Sequence, residues 1–200
     1  MGKITDITEQ KGNKSRVSIF IDGSFFCGMD ALTALKYRFK VGDEVDEDAV
    51  AKAQADSEYA TALDKSLGYL SVRARSEKEI GDYLKNKGYL PMTTRRVKER
   101  LRELGYLDDE KYARLYVGEN KSRYGTARLR MELVKRGVDR DTADEVLDSV
   151  DRSEQVKELA EKLYRTCDGD RRKLREKLYR KGCTSDEIDT ALSDFDFSDE

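Results

Sequence analysis

The chain has 200 residues, 40% charged and 38% hydrophobic, with 39 Lys and Arg against 41 Asp and Glu for a net charge of −2. Such a composition folds around thin cores beneath a heavily charged surface. It excludes a doubly wound enzyme, which needs long apolar strands, offers no stretch able to span a membrane, and argues against a simple polyanion binder.

Residues 1–50 differ from the rest. Lys14–Ile21 (KSRVSIFI) is β-branched and partly alternating, and Asp22-Gly23 separates it from Ser24–Cys27. Asp-Gly between two such runs predicts a hairpin, because a type I′ turn needs positive φ at both central residues. Lys3–Glu9 supplies a third strand. Asp30–Phe39 reads as a short helix closed by Lys40-Val41-Gly42, and the acidic stretch Asp43–Asp48 leads into helix.

From residue 50 onward helix formers dominate and an internal repeat emerges. Ile80-x-x-x-Leu84-x-x-Lys87-Gly88 recurs as Leu129-x-x-x-Leu133-x-x-Arg136-Gly137 and as Leu174-x-x-x-Leu178-x-x-Lys181-Gly182. The i, i+4 apolar pair marks one helix face. The basic residue meets the negative helix end, and the glycine supplies a left-handed C-cap. A second apolar pair follows each glycine: Val97/Leu101, Ala143/Leu147 and Ile188/Leu192. Thr93, Asp139 and Thr184 stand where N-caps belong, and Ser76-x-x-Glu79 and Thr184-x-x-Glu187 read as capping boxes. Upstream helices are expected over Glu58–Arg73, Asp109–Asn120 and Ser153–Thr166. Three helices in about 45 residues cannot bury enough apolar surface alone, whereas stacked units share a continuous core. The chain is therefore mainly α: an N-terminal β-containing piece (1–50) and three tandem three-helix repeats (51–108, 109–150 and 151–200) in an elongated or curved array. The glycine spacing is 49 and then 45, which puts the extra residues around Leu90-Pro91-Met92.

Charge is segregated along the chain. Residues 73–102 carry ten basic and four acidic side chains, 121–136 six and one, and 171–181 seven and one. The closing segments of the second and third repeats reverse this, at −5 over 139–151 and −7 over 183–200. With Leu129 and Leu133 as the core, Arg128 and Lys135 fall on one outer stripe at 100° per residue. Lys173 and Arg180 occupy the same stripe of the third repeat. These four, with Arg73, Arg75, Arg123, Arg130, Arg171 and Arg172, are the candidate partner- or DNA-binding residues, suited to phosphates or to an acidic protein groove. Tyr83, Tyr124 and Tyr179 lie close to basic residues and are candidates for stacking on bases or for packing at module edges.

No catalytic motif stands out. There is no histidine, hence neither the commonest general base nor the commonest metal ligand, and no Walker loop or nucleophile elbow. Cys27, Cys167 and Cys183 are odd in number and lack a Cys-x-x-Cys pair, so they read as small buried hydrophobes in a reducing compartment. Asp108-Asp109, just before a helix, reads as an N-cap rather than a metal site. The polar start MGKITDITEQ lacks a signal-peptide core, and the expectation is a cytoplasmic protein without cofactor or enzyme activity.

Three runs carry a family resemblance: Tyr69-Leu70-x-x-Arg73-x-Arg75-Ser76-x-x-Glu79-Ile80-x-x-Tyr83-Leu84-x-x-Lys87-Gly88, Leu101-x-x-Leu104-Gly105-Tyr106-Leu107-Asp108-Asp109-x-x-Tyr112-Ala113, and Gly125-x-x-Arg128-Leu129-x-x-Glu132-Leu133-x-x-Arg136-Gly137-Val138. Together they resemble the signature of the RecX family, regulators of the RecA recombinase, over about residues 56–195. The N-terminal piece resembles the extension of some members. Thr126-Ala127 stands where a Pro-Arg pair is common, and Cys183 where an aromatic is usual. The resemblance implies three tandem repeats and a non-enzymatic monomer that binds the RecA–single-stranded DNA filament. It further implies inhibition of ATP hydrolysis and strand exchange, and the opposed basic and acidic segments lead one to expect only weak contact to single-stranded DNA, directly or through RecA. The alternative is a stand-alone, transcription-factor-like DNA-binding regulator, which calls for one strongly basic recognition helix and a dimerisation device.

Overall fold

Val17, Ile19 and Ile21 alternate along one strand and all three are buried, which gives the N-terminal sheet one apolar face. The computed structural model describes residues 1–167, 169–193 and 195. Its strands are β1 (Gly2–Gln10), β2 (Asn13–Ile21), β3 (Ser24–Asp30) and β4 (Glu44–Val45), antiparallel in the order β3-β2-β1-β4. The expected hairpin is present: Asp22 and Gly23 have φ of 51° and 82°, as a type I′ turn requires. β4 is too short for alternation to announce. It forms because a left-handed turn at Gly42 brings the chain back to β1, where the Ile4 N–H donates to the Asp43 carbonyl at 2.9 Å.

Helix α1 (Ala31–Lys36) is capped by Asp30, whose carboxylate accepts from the Leu32 N–H. Helix α2 (Glu47–Leu70) starts eleven residues before the expected Glu58 and runs through position 50. Asp46 caps it, and Glu47 and Asp48 sit at its positive end. Val50 and Ala53 of α2 join Ile4, Ile19, Met29 and Ala34 in the core under the sheet. The Ser57 hydroxyl oxygen accepts from the Asp30 N–H at 2.7 Å.

The remaining helices are α3 (Glu77–Asn86), α4 (Pro91–Glu103), α5 (Asp109–Asn120), α6 (Thr126–Lys135), α7 (Arg140–Asp148), α8 (Ser153–Tyr164), α9 (Arg171–Arg180) and α10 (Ser185–Leu192). The chain divides into two compact units, Met1–Arg73 with Ile80–Tyr106, and Ala74–Glu79 with Leu107 onward. All the repeat's apolar pairs are buried, and Gly88, Gly137 and Gly182 have φ of 85°, 92° and 83°. The one exception to the capping pattern is Thr93. α4 opens with Pro91 at its first position and Leu90 as N-cap, and Thr93 is buried within the helix. Proline fits there because that N–H needs no partner. α4 has 13 residues and α7 has nine. The four extra residues between successive glycines are thus absorbed as one more helical turn.

In the second unit the two later repeats have separate cores rather than the continuous core expected, one around Tyr112, Val117, Leu129 and Leu133, the other around Leu159, Cys167, Leu174, Leu178 and Cys183. A recurring joint links them. The Gly125 and Ala127 N–H groups, at the start of α6, donate to the Lys181 and Gly182 carbonyls at 3.0 and 2.9 Å. A Cβ on Gly125 would lie 2.1 Å from the Cys183 nitrogen, so only glycine fits. Within the same unit the Ser76 hydroxyl donates to the Arg136 carbonyl at 2.5 Å and the Lys78 ammonium to the Lys135 carbonyl at 2.9 Å. In repeat register Ser76 matches Gly125 and Arg136 matches Lys181. The same turn is therefore used twice.

Candidate functional site

The basic segments separate into cations held inside the scaffold and cations left at its surface. Arg128 belongs to the first group and does not lie on a free outer stripe. It is half-buried, its guanidinium covers the Tyr124 ring at 4.6 Å, and its Cβ lies against Gly182. The joint just described draws it inward. Arg130 pairs with Asp144 across α6 and α7, and Arg175 with Asp189 across α9 and α10 at 2.6 Å. These are equivalent positions, so each basic helix is clasped to the acidic helix after it, and the two signs are less segregated than the linear sequence implies. Asp194 and residues 196–200, part of the acidic end segment, lie outside the described residues.

Arg123, Lys135, Arg171, Arg172, Lys173 and Arg180 are exposed, as is Arg73 in the first unit, while Arg75 is half-buried. Lys173 pairs with the N-cap Asp170 at 3.4 Å and Arg172 with Glu176 at 3.8 Å, both short-range surface pairs of small energetic weight. Arg172, Arg175, Tyr179 and Arg180 on α9 border a depression of 510 Å³ with Ser185 and Ile188 on α10. The structure therefore gathers two of the candidate residues, Arg172 and Arg180, around one concavity and adds Arg175, which linear phasing does not select. In the first unit the basic stretch of α4 is largely matched: Arg96 stacks on Tyr59 at 4.6 Å and reaches Asp56 at 3.3 Å, and Arg95 and Arg100 pair with Glu99 and Glu103.

The three tyrosines also separate. Tyr83 is stacked on Tyr69 at 4.2 Å between ring centroids, and Tyr124 lies under Arg128. Tyr179 is 71% exposed.

A buried polar hub sits where the second and third repeats meet. Arg152, 5% exposed, pairs with Glu187, which also accepts from the Thr126 N–H (3.2 Å) and hydroxyl (2.5 Å) and from the Thr184 N–H (2.8 Å). Burial pushes the Glu187 carboxyl up. The bonds from Thr126 and Thr184 and the Arg152 charge outweigh it and hold the group below its ordinary value of 4.5. Burial, and then the Glu187 charge, push the Cys183 thiol up to about 12, so it stays protonated. All three cysteines are buried. Among the described residues no three His, Cys, Asp or Glu side chains form a metal-binding group, and no helix is long and apolar enough to cross a membrane.

Fold and surface together define a tandem three-helix repeat protein headed by an antiparallel sheet, its cations distributed over successive repeats. Residues 2–46 match the regulatory protein RecX N-terminal domain, residues 62–101 the first RecX three-helix domain and residues 108–147 the second. Regulatory protein RecX of Bacillus subtilis (strain 168) is 31% identical over 98% of this chain and 78% of its own length. That of Clostridium tetani is 29% identical over 100% and 97%. A crystal structure of regulatory protein RecX superposes with a TM-score of 0.71 at 26% identity, covering 97% of this chain and all of the other. RecX from Lactobacillus salivarius gives 0.62 at 26% identity, over 68% of this chain and 94% of that one. The chain belongs to the RecX family of regulatory proteins.

Proposed function

We propose that this protein binds the RecA–single-stranded DNA filament and inhibits RecA ATP hydrolysis and strand exchange, thereby modulating recombinational repair and the damage response in the cytoplasm. The observation that carries this reading is the match to RecX regulatory proteins along nearly the whole chain, N-terminal sheet included. The protein acts as a monomer, without cofactor or catalysis of its own. Its working pieces are residues 1–50, 51–108, 109–150 and 151–200.

The surface supports the reading. Arg73, Arg75, Arg123, Lys135, Arg171, Arg172, Lys173 and Arg180 serve the partner, and Arg128 and Arg130 hold the scaffold. A filament of protein and nucleic acid offers both acidic side chains and phosphates to such a distributed set. The test is RecA ATPase on single-stranded DNA, titrated with the full chain. Dose-dependent inhibition at near-stoichiometric ratios is expected. No inhibition, together with tight sequence-selective binding to duplex DNA, would establish the stand-alone DNA-binding regulator instead.

A further inference from the structure

Residues 172, 175, 176, 179 and 180 follow the i, i+3, i+4, i+7, i+8 spacing that puts them on one face of α9. They are Arg172, Arg175, Glu176, Tyr179 and Arg180, they border the 510 Å³ depression that Ser185 and Ile188 close from α10, and Glu176 pairs with Arg172 at 3.8 Å across the exposed surface. The Tyr179 ring is 71% exposed and makes no ring contact among the described residues. The repeat register sharpens the point. Position 179 corresponds to Val134 in α6 and Lys85 in α3, so only the third repeat has an aromatic there.

Folding gives no account of this tyrosine. The core of the third repeat does not include it, and a residue 71% exposed beside three arginines and Glu176 adds little to burial. A flat π face flanked by cations matches an unpaired base with its adjoining phosphates. A protein partner would also bury such a ring beside arginines, so the comparison of a base-bearing with an abasic strand is what separates the two occupants.

We propose that this face of α9 is a stacking subsite for one unpaired nucleotide of a single strand. Tyr179 takes the base, and Arg172 and Arg180 take the flanking phosphates. Arg175 is already bonded to Asp189 on α10 at 2.6 Å and is not assigned a phosphate. The subsite deepens the filament reading above and rests on it for the kind of strand presented. It is open to a free single strand as well as one held in a filament, since the residues come from this chain alone.

The experiment is fluorescence anisotropy of the full chain on a labelled oligo-dT strand and on an abasic strand of equal length, with inorganic polyphosphate as competitor. The native chain is expected to bind oligo-dT at least about tenfold more tightly than the abasic strand, the effect of one stacked base. Tyr179→Ala removes that preference and Tyr179→Phe keeps it. Arg172→Gln with Arg180→Gln lowers the salt slope by about 1.4, since each phosphate neutralised on a single strand accounts for roughly 0.7. Circular dichroism of each variant is expected to match the native chain, because the side chains are exposed. Equal affinity for the abasic strand, no effect of Tyr179→Ala, or no strand binding at all would each overturn the subsite. Polyphosphate competing equally against both strands would mark the face as a plain polyanion or acidic-protein surface. RecA inhibition that persists in Tyr179→Ala leaves the filament reading standing, so the two proposals fail separately.

Discussion

Arg152 and Glu187 are 35 residues apart in the chain and meet in a site that leaves them 4% and 17% side-chain exposure. Taking charges out of water is costly, and the cost is met only while both partners and their hydrogen bonds stay in place. Glu187→Gln leaves the Arg152 cation buried beside a neutral amide and should destabilise the chain by about 3 kcal/mol at neutral pH. Because the folded state holds the Glu187 carboxyl below its ordinary value, its contribution is fully present above that value. It is lost as pH falls through the lowered folded value. Urea unfolding at pH 7 should show the full gap between native chain and variant, and unfolding near pH 3 a smaller one. An undiminished gap at low pH would assign the effect to packing rather than to charge.

The helices show which features the linear sequence conveys. The glycine C-caps, the apolar pairs and the Asp139 and Thr184 caps were legible because each depends on residues within about two turns of one another. Leu133 and Leu178 are fully buried, as their spacing requires. Leu133→Ala or Leu178→Ala should cost about 2–5 kcal/mol, measurable by chemical denaturation. Thermal scans of either variant that coincide with the native chain would contradict the register. Features set by long-range contact were not legible. Thr126 and Glu187 are 61 residues apart, and nothing periodic connects them. The inward turn of Arg128 depends on Gly182 of the next repeat. The early start of α2 is local by contrast: Asp46 caps it within the acidic stretch Asp43–Asp48 that leads into helix, although no apolar pattern marks the first turns. The Arg130–Asp144 and Arg175–Asp189 clasps do follow from superposing the repeats, yet charge alone shows them only as runs of opposite sign.

On the scale of the molecule, what matters is where cations remain after the scaffold has taken its share. Lys135, Lys173 and Arg180 remain exposed on equivalent helices of the second and third repeats. Reversing all three to Glu should leave the helical spectrum intact, since exposed single charges usually contribute within about 0.5 kcal/mol. Inhibition of RecA ATPase should largely vanish. Lys85, Arg95 and Arg100, exposed cations of the first unit, give a control with the same change in net charge. Equal loss in both triple variants would indicate bulk electrostatics, and full inhibition by the stripe variant would remove these residues from the interface.

The joint at Gly125 also has a direction. In both of its instances an earlier repeat supplies the donors and a later repeat the main-chain carbonyls. Ending the chain at Val150 would deprive the Gly125 and Ala127 amides of their acceptors and Thr126 of Glu187. α6 would then lose its anchor at the end where a helix has spare donors. Amide exchange of residues 125–127 should therefore accelerate, although they lie well inside the new terminus. Substituting Ser76 by Ala takes a partner from the Arg136 carbonyl and from the Glu79 N–H, yet the joint between the later repeats keeps every bond of its own. Loss of the last repeat should thus be felt at the start of α6, one repeat inward, whereas loss of the Ser76 hydroxyl leaves the joint at Gly125 unchanged.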